Sequence, residues 1–285
     1  MAKSLHPERE TQNRIVKFFE KELGYKYLGN LEDGGNFNIR WGDWKKFLSD
    51  SGYSEPFVES LQNEFFKTLN DFSKSPYHTN KEVYRILKYG LKLAEFPGEA
   101  PKTVYFINWE EPEKNNFYIA EEVTVNGNVE KRPDIVLYIN GIAIAVMELK
   151  KSTVSVADGI RQNVTNQREQ FIQRFFSTIQ ICVAANDSEG LRYGTSGTTE
   201  KYYLEWKEDN FTDQLQDKDD LDKILEGKCS KQLNLLEQQC YRIFQKERLL
   251  DIIHNFIIFD SGIKKICRYN QFYAIKRCEK RLSRN

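Results

Sequence analysis

Three charges, Asp134, Glu148 and Lys150, stand at the ends of two otherwise apolar runs, Ile135–Ile139 and Ile142–Leu149. Glu148 and Lys150 are two apart and share a face of an extended strand. Charges at the mouth of a buried segment must be paired, solvated or bound to a metal, because isolated buried ions are too costly. Two carboxylates offer hard oxygen ligands to Mg²⁺, which keeps several waters and takes few protein ligands. Such an ion acidifies water and polarises a phosphoryl oxygen, while a neighbouring lysine orients the water or offsets charge building on the phosphate. The chemistry this trio suits is phosphodiester hydrolysis. As a bare pattern, Asp followed at a distance by Glu-x-Lys also describes solvated strand ends, which is the commoner case.

Asn140-Gly141 between the two runs is a strong hairpin signal, so the runs read as adjacent antiparallel strands. Neither run alternates with polar residues. Strands of that kind are covered on both sides, which puts the hairpin at the centre of an α/β sheet. The turn then decides whether the trio meets. A flat two-residue loop sets Asp134 opposite Met147, on the wrong face, whereas a three-residue loop with Gly141 left-handed sets it opposite Val146, on the face of Glu148 and Lys150. A bulged turn or a distorted strand start is therefore expected.

Around this hairpin the pattern predicts helices at Pro7–Leu23, Asp43–Ser51, Glu55–Phe72, Asn80–Leu93 and Val156–Phe175. Ser75-Pro76-Tyr77 reads as a loop, and Asn186–Thr199 as another, ahead of a strand-like Lys201–Trp206. Strands are expected at Val104–Ile107, Phe117–Val125 and Thr178–Ala185, the last joined to the hairpin in parallel by a right-handed helical crossover. Glu121 and Glu122 are within reach of a metal at this site, but cross-strand pairing with Lys131 or Arg132 is the simpler account. A further helix is expected near Ser230–Leu250.

The 285 residues hold 42 Lys+Arg and 42 Asp+Glu, so no net charge advertises a polyanionic partner, although a local basic patch including Arg161, Arg168 and Arg174 remains open. No apolar run approaches a membrane span and no signal-peptide core is present, which suggests a cytoplasmic protein. Cys182, Cys229, Cys240, Cys267 and Cys278 form no Cys-x-x-Cys pair, and His6, His78 and His254 are scattered. An ordinary zinc site is thereby excluded and a disulfide framework disfavoured.

Arg132-Pro133-Asp134-Ile135-Val136-Leu137, the Asn-Gly turn, Ala145-Val146-Met147-Glu148-Leu149-Lys150-Lys151, Ile160-Arg161-Gln162 through Gln167, and Glu189-Gly190-Leu191-Arg192-Tyr193-Gly194 together resemble the N-terminal nuclease domain of the type I restriction enzyme R (HsdR) subunit. The resemblance covers most of residues 1 to about 210 and, more faintly, the remainder. It implies an α/β fold with a mixed central sheet flanked by helices, the PD-(D/E)xK restriction-endonuclease-like core. It implies Mg²⁺ held by Asp134 and Glu148, with Glu10 as the first-helix acid, Lys150 assisting the attacking water, and Gln162 positioning water or phosphate. Related nucleases carry Gln-x-x-x-Tyr here. In this chain the fifth position is Asn166, so Gln167 is a second candidate for that task.

The same resemblance implies double-stranded DNA as substrate, methylation (M) and specificity (S) subunits as partners, and ATP as cofactor of a translocating motor in a full-length subunit. Arg268-Tyr269-Asn270-Gln271 resembles the glutamine-bearing segment before a motor's phosphate loop, which makes Gln271 an ATP-contact candidate. No Gly-x-x-x-x-Gly-Lys-Ser/Thr follows. The expected organisation is an endonuclease domain at 1–206, an acidic linker and helical connection at 207–254, and the start of a truncated motor at 255–285. A repair or stand-alone restriction nuclease, and a non-catalytic module docking DNA or partner subunits, are the other readings.

Overall fold

The computed structural model describes residues 7–33, 36–71, 73–207 and 233–282. In chain order the strands are β1 (Lys26–Asn30), β2 (Leu91–Leu93), β3 (Lys102–Val104), β4 (Phe117–Glu121), β5 (Ile135–Ile139), β6 (Ile142–Leu149), β7 (Ile181–Asn186), β8 (Gly190–Gly194), β9 (Leu204–Glu205), β10 (Ile257–Asp260) and β11 (Ile263–Ile266). Seven of them form one mixed sheet in the order β1-β4-β5-β6-β7-β8-β9. β1 runs parallel to β4 and β6 parallel to β7, and the other neighbours are antiparallel. The expected central hairpin is thus the middle of the sheet, with every residue of β5 and β6 buried.

Both faces are covered, as two-sided apolar strands demand. One face carries the larger core, filled from α1 (Pro7–Lys21), α2 (Trp41–Asp50), α3 (Glu55–Leu69) and α4 (Pro76–Tyr89). The other is capped by the 3₁₀ turn Gln173–Ser177, with Phe175 and Phe176, and by α5 (Val156–Asn166). α5 is the crossover between β6 and β7. It opens on Ser155, whose hydroxyl accepts the Ala157 N–H, and ends at Asn166, well short of the expected Phe175.

Other expectations shift for local reasons. Ser75-Pro76-Tyr77 begins α4 instead of forming a loop, because Ser75 caps and Pro76 fits the first helical turn. Gly90, at φ +77°, closes that helix and leaves Leu91–Leu93 to pair with Lys102–Val104 in a separate hairpin. Glu122, at φ +51°, breaks the expected long strand after Glu121. Gly190–Gly194 is a sheet strand, not the loop its glycines suggested.

Beyond the sheet, α6 (Leu235–Phe244), α7 (Lys246–Asn255), the β10–β11 hairpin and α8 (Tyr269–Leu282) follow. Asn234 and Glu237 form a reciprocal capping box at the start of α6. Leu236, Phe244, Leu250, Phe256, Cys267 and Phe272 join the same buried cluster as the sheet, so packing does not separate these residues from the preceding ones. Apart from Lys207, the acidic stretch to Asp222 lies outside the described residues, as do His6 and Cys229. Among the described residues no helix is long and apolar enough to cross a membrane.

Candidate active site

The turn at Asn140 and Gly141 has two positive φ angles, +50° and +82°, as a type I′ hairpin requires. Continued without interruption, it would set Asp134 against Met147. Instead Leu137 pairs with Ala145 while Tyr138 pairs with Ala143, leaving Ile144 as an extra residue on β6. Ile144 and Ala145 both enter the larger core, whereas Ala143 and Val146 face the other way. Past this bulge Ile135 pairs with Met147, and the next step sets Asp134 opposite Glu148. The expected distortion is present, but inside β6 and not at the turn. One added residue exchanges the faces of everything beyond it, because strand side chains alternate with period two.

The Leu149 N–H donates to Asp134 Oδ2 at 2.6 Å, and Asp134 stands opposite Glu148 on the same face. Glu148 is fully buried; its Oε1 accepts from Asn166 Nδ2 at 3.1 Å and its Oε2 has no hydrogen-bond partner. Lys150 Nζ donates to the Leu149 carbonyl at 2.8 Å and lies 3.9 Å from Glu8 Oε1. Burial raises the Asp134 pKa from 3.8 to about 6, against the pull of the Leu149 N–H and Lys150. Glu148 is raised as well, first by burial and then by the charge of Asp134. Two adjacent carboxyls that resist ionisation share a need for nearby positive charge.

The orphaned Glu148 Oε2 and its neighbouring acid fit a small divalent cation. Among the described residues no three His, Cys, Asp or Glu side chains gather into a fuller cage. A two-carboxylate set suits Mg²⁺, which completes its shell with water, and does not suit structural zinc.

The supporting residues differ in part from those expected. Gln162 is half-buried on α5, and among the described residues no hydrogen bond links it to Asp134, Glu148 or Lys150. Asn166, at the position where the resemblance implied a tyrosine, is the side chain that hydrogen-bonds Glu148. Gln167 turns away; its Oε1 accepts the Gly197 N–H at 2.7 Å. α5 lies this close to the sheet because of Gly159, where a Cβ would stand 3.1 Å from Ala184 Cβ and 3.5 Å from Lys150 Cγ.

On α1 the acid at the site is Glu8, while Glu10 is exposed. The periodicity held this signal: Glu8 precedes the buried Ile15 by seven residues, roughly two turns, whereas Glu10 stands about 140° round the helix from it. Gln12, also unanticipated, places Nε2 3.2 Å from Glu121 Oε2, 3.0 Å from Glu122 Oε1 and 3.3 Å from the Asp134 carbonyl. Glu121 and Glu122 pair with Arg9, and Glu122 also with Arg132 at 3.0 Å, so they belong to a bracing network behind the site. Tyr203 OH is buried beside the Cys182 thiol, and its pKa is pushed up by burial and by Cys182 and Glu148. Arg161 pairs with Asp158 and Glu200. Gln271 is exposed, with Oε1 accepting the Arg268 N–H at 2.9 Å at the start of α8.

Residues 5–201 match the family model described as type I restriction enzyme R protein N terminus. The chain belongs to this family. Its relatives include the Methanocaldococcus jannaschii proteins named "Putative type I restriction enzyme MjaIXP endonuclease subunit", 26% identical over 97% of this chain and 28% of the relative, and its MjaVIIIP counterpart, 28% identical over 97% and 26%. The type I restriction enzyme HindI endonuclease subunit of Haemophilus influenzae is 26% identical over 69% of this chain and 18% of its own length. The chain therefore spans roughly a quarter of the M. jannaschii relatives. The α/β architecture with a mixed seven-stranded sheet agrees with an R-protein N-terminal domain of restriction-endonuclease-like fold.

Proposed function

We propose that this chain is the endonuclease domain of a type I restriction R subunit and hydrolyses phosphodiester bonds of double-stranded DNA with Mg²⁺. The observation that carries this reading is the bulge at Ile144, which turns Asp134 onto the face of Glu148 and leaves a buried carboxylate oxygen unpartnered. Asp134 and Glu148 would hold the ion, with Glu8 close enough to contribute through water. When bound, Mg²⁺ supplies Lewis acidity toward the phosphate and lowers the pKa of water. Asn166 fixes the Glu148 carboxylate, and the Leu149 N–H fixes that of Asp134. Lys150 is kept near the acids by the Leu149 carbonyl and Glu8, where its ammonium stabilises charge developing on the phosphate. In the full-length relatives' context, M and S subunits would be the partners, and ATP would serve a part of the protein beyond the fold described above.

The test is Mg²⁺-dependent cleavage of supercoiled plasmid by the 285-residue protein, with Glu148→Ala and Lys150→Ala alongside. Nicking or linearisation by wild type and by neither variant supports the proposal. If none cuts, calorimetry with Mg²⁺ or Mn²⁺ decides: binding lost in Glu148→Ala retains the site, and no binding by wild type refutes it.

A further inference from the structure

A second buried charge lies at the opposite end of β7. Lys264, on β11, is 5% exposed, and its Nζ donates to Asn80 Oδ1 at 2.9 Å, the Ile179 carbonyl at 3.1 Å and Gln180 Oε1 at 2.7 Å. Ser196 Oγ is 3.5 Å away, and the Phe259 ring centre 5.4 Å. Every one of these partners is neutral, and among the described residues no carboxylate pairs with this ammonium. Buried ions are ordinarily paired with opposite charge, so Lys264 lacks what most buried lysines have.

The missing charge has a place to go. Lys264 borders a cavity of about 610 Å³, between the first turn of α4, the 3₁₀ turn at Gln173–Ser177, the Ser196–Gly197 turn and the β10–β11 hairpin. That volume falls within the roughly 300–1,000 Å³ of small-molecule sites. Its walls include the Tyr77, Phe171 and Phe259 rings, and its polar lining includes Thr79, Gln173 and Ser196. Two acids reach the rim: Asp71, paired with Lys74 at 3.1 Å, and the exposed Glu169. The Ser196 hydroxyl, 3.5 Å from the ammonium, keeps its own proton to donate.

We infer that this cavity binds a small phosphate-bearing aromatic anion, in chemical terms a free mononucleotide. Its phosphate lies toward Ser196 with the Lys264 charge behind it, and its base lies against the aromatic wall. The three protons of Lys264 are already engaged, so the ammonium acts through its field and through Ser196. The inference is independent of the nuclease reading, since none of these residues belongs to the Asp134 site.

The experiment is calorimetric titration of the full chain with AMP and with inorganic phosphate, at pH 6.5 and pH 8.5. Burial lowers the Lys264 pKa to about 7, with the Cys182 thiol its titratable neighbour, so the amine is largely neutral at the higher pH. AMP is expected to bind, phosphate alone to bind at least ~10-fold more weakly, and both to weaken several-fold at pH 8.5, although the phosphate itself gains charge there. Lys264→Met is expected to abolish binding and Ser196→Ala to weaken it about tenfold. If Lys264→Met does not fold, the Ser196→Ala titration and the wild-type pH dependence carry the test. No binding of AMP by wild type, or binding indifferent to pH and to Ser196→Ala, overturns the inference. So does binding of a 5′-phosphorylated oligonucleotide where AMP is not bound.

Discussion

The two ends of the β6–β7 pair bury opposite problems. At the Glu148 end, two acids face each other and one oxygen has no partner; at the Gln180 end, one ammonium is ringed by neutral acceptors. Full hydrogen bonding satisfies geometry at Lys264 without supplying countercharge, and near Glu148 the single positive charge of Lys150 is set against the added negative charge of Glu8 while Oε2 is left without a partner. Hydrogen bonds and net charge are separate requirements of a buried ion: the lysine end meets the first alone, and the acid end meets neither in full.

The comparison breaks most visibly if the acid end does no chemistry. Glu148→Gln keeps the shape and removes the charge, and a Lewis-acid contribution of several kcal/mol predicts that plasmid cleavage falls about a thousandfold. The same variant is expected to fold at least as stably as wild type without metal, which thermal melts would show. A smaller effect is expected from Mg²⁺ itself. At about 100 times its dissociation constant, a ligand adds ~2.7 kcal/mol, or roughly 5–10 °C in Tm for a chain of this size. The shift should appear at pH 7.5, vanish at pH 4.5 where Asp134 is protonated, and be absent in Glu148→Gln.

Comparable in size are the proton linkages, which run in opposite senses at the two charges. Asp134 has its pKa raised from 3.8 to about 6, so the folded protein retains a proton the unfolded chain has released, and stability falls as pH rises from about 4 to 6. Lys264 has its pKa lowered from 10.5 to about 7, so the unfolded chain holds the extra proton, and stability rises with pH between about 7 and 10. Denaturant titrations across pH should show a minimum between these limbs; Asp134→Asn should flatten the acid limb and leave the alkaline one. The smallest effects test the supports. Asn166→Ala, which removes one hydrogen bond to Glu148, is expected to lower cleavage about five- to tenfold. Glu10→Gln is expected to leave cleavage unchanged, whereas Glu8→Gln lowers it severalfold.

What could be read without coordinates was whatever depends on near neighbours in the chain. The Asn-Gly turn, the two apolar runs and the strand-helix-strand crossover follow from local pattern, and they place β5, β6 and β7 correctly. The need for a distortion was also legible, because Asp134 and Glu148 share a face only if one residue is added. Its location was not, since the extra residue's carbonyl is taken up at long range: Ile144 accepts the Gln180 N–H at 2.7 Å, from 36 residues on, just before β7. Asn166 was hidden by expecting a tyrosine, and Glu8 by reading first-turn acids for their helix-dipole effect instead of their angle to Ile15. Lys264 gave no signal at all: in a basic C-terminal stretch, one lysine that turns inward looks like its neighbours.

The bulge sets a rule for how such a domain can diverge. Ile144 is buried among other aliphatic side chains, so exchanges for leucine, valine or methionine there should be tolerated. A change of length is another matter: removing Ile144 would leave a regular strand in which Leu137 still meets Ala145 and Asp134 still meets Glu148, whereas one residue added beside the bulge would present Met147 to Asp134 and send Glu148 into the opposite core. The strand can therefore lose this one residue but not gain one, and in a comparison of family members a one-residue insertion here should coincide with loss of nuclease activity.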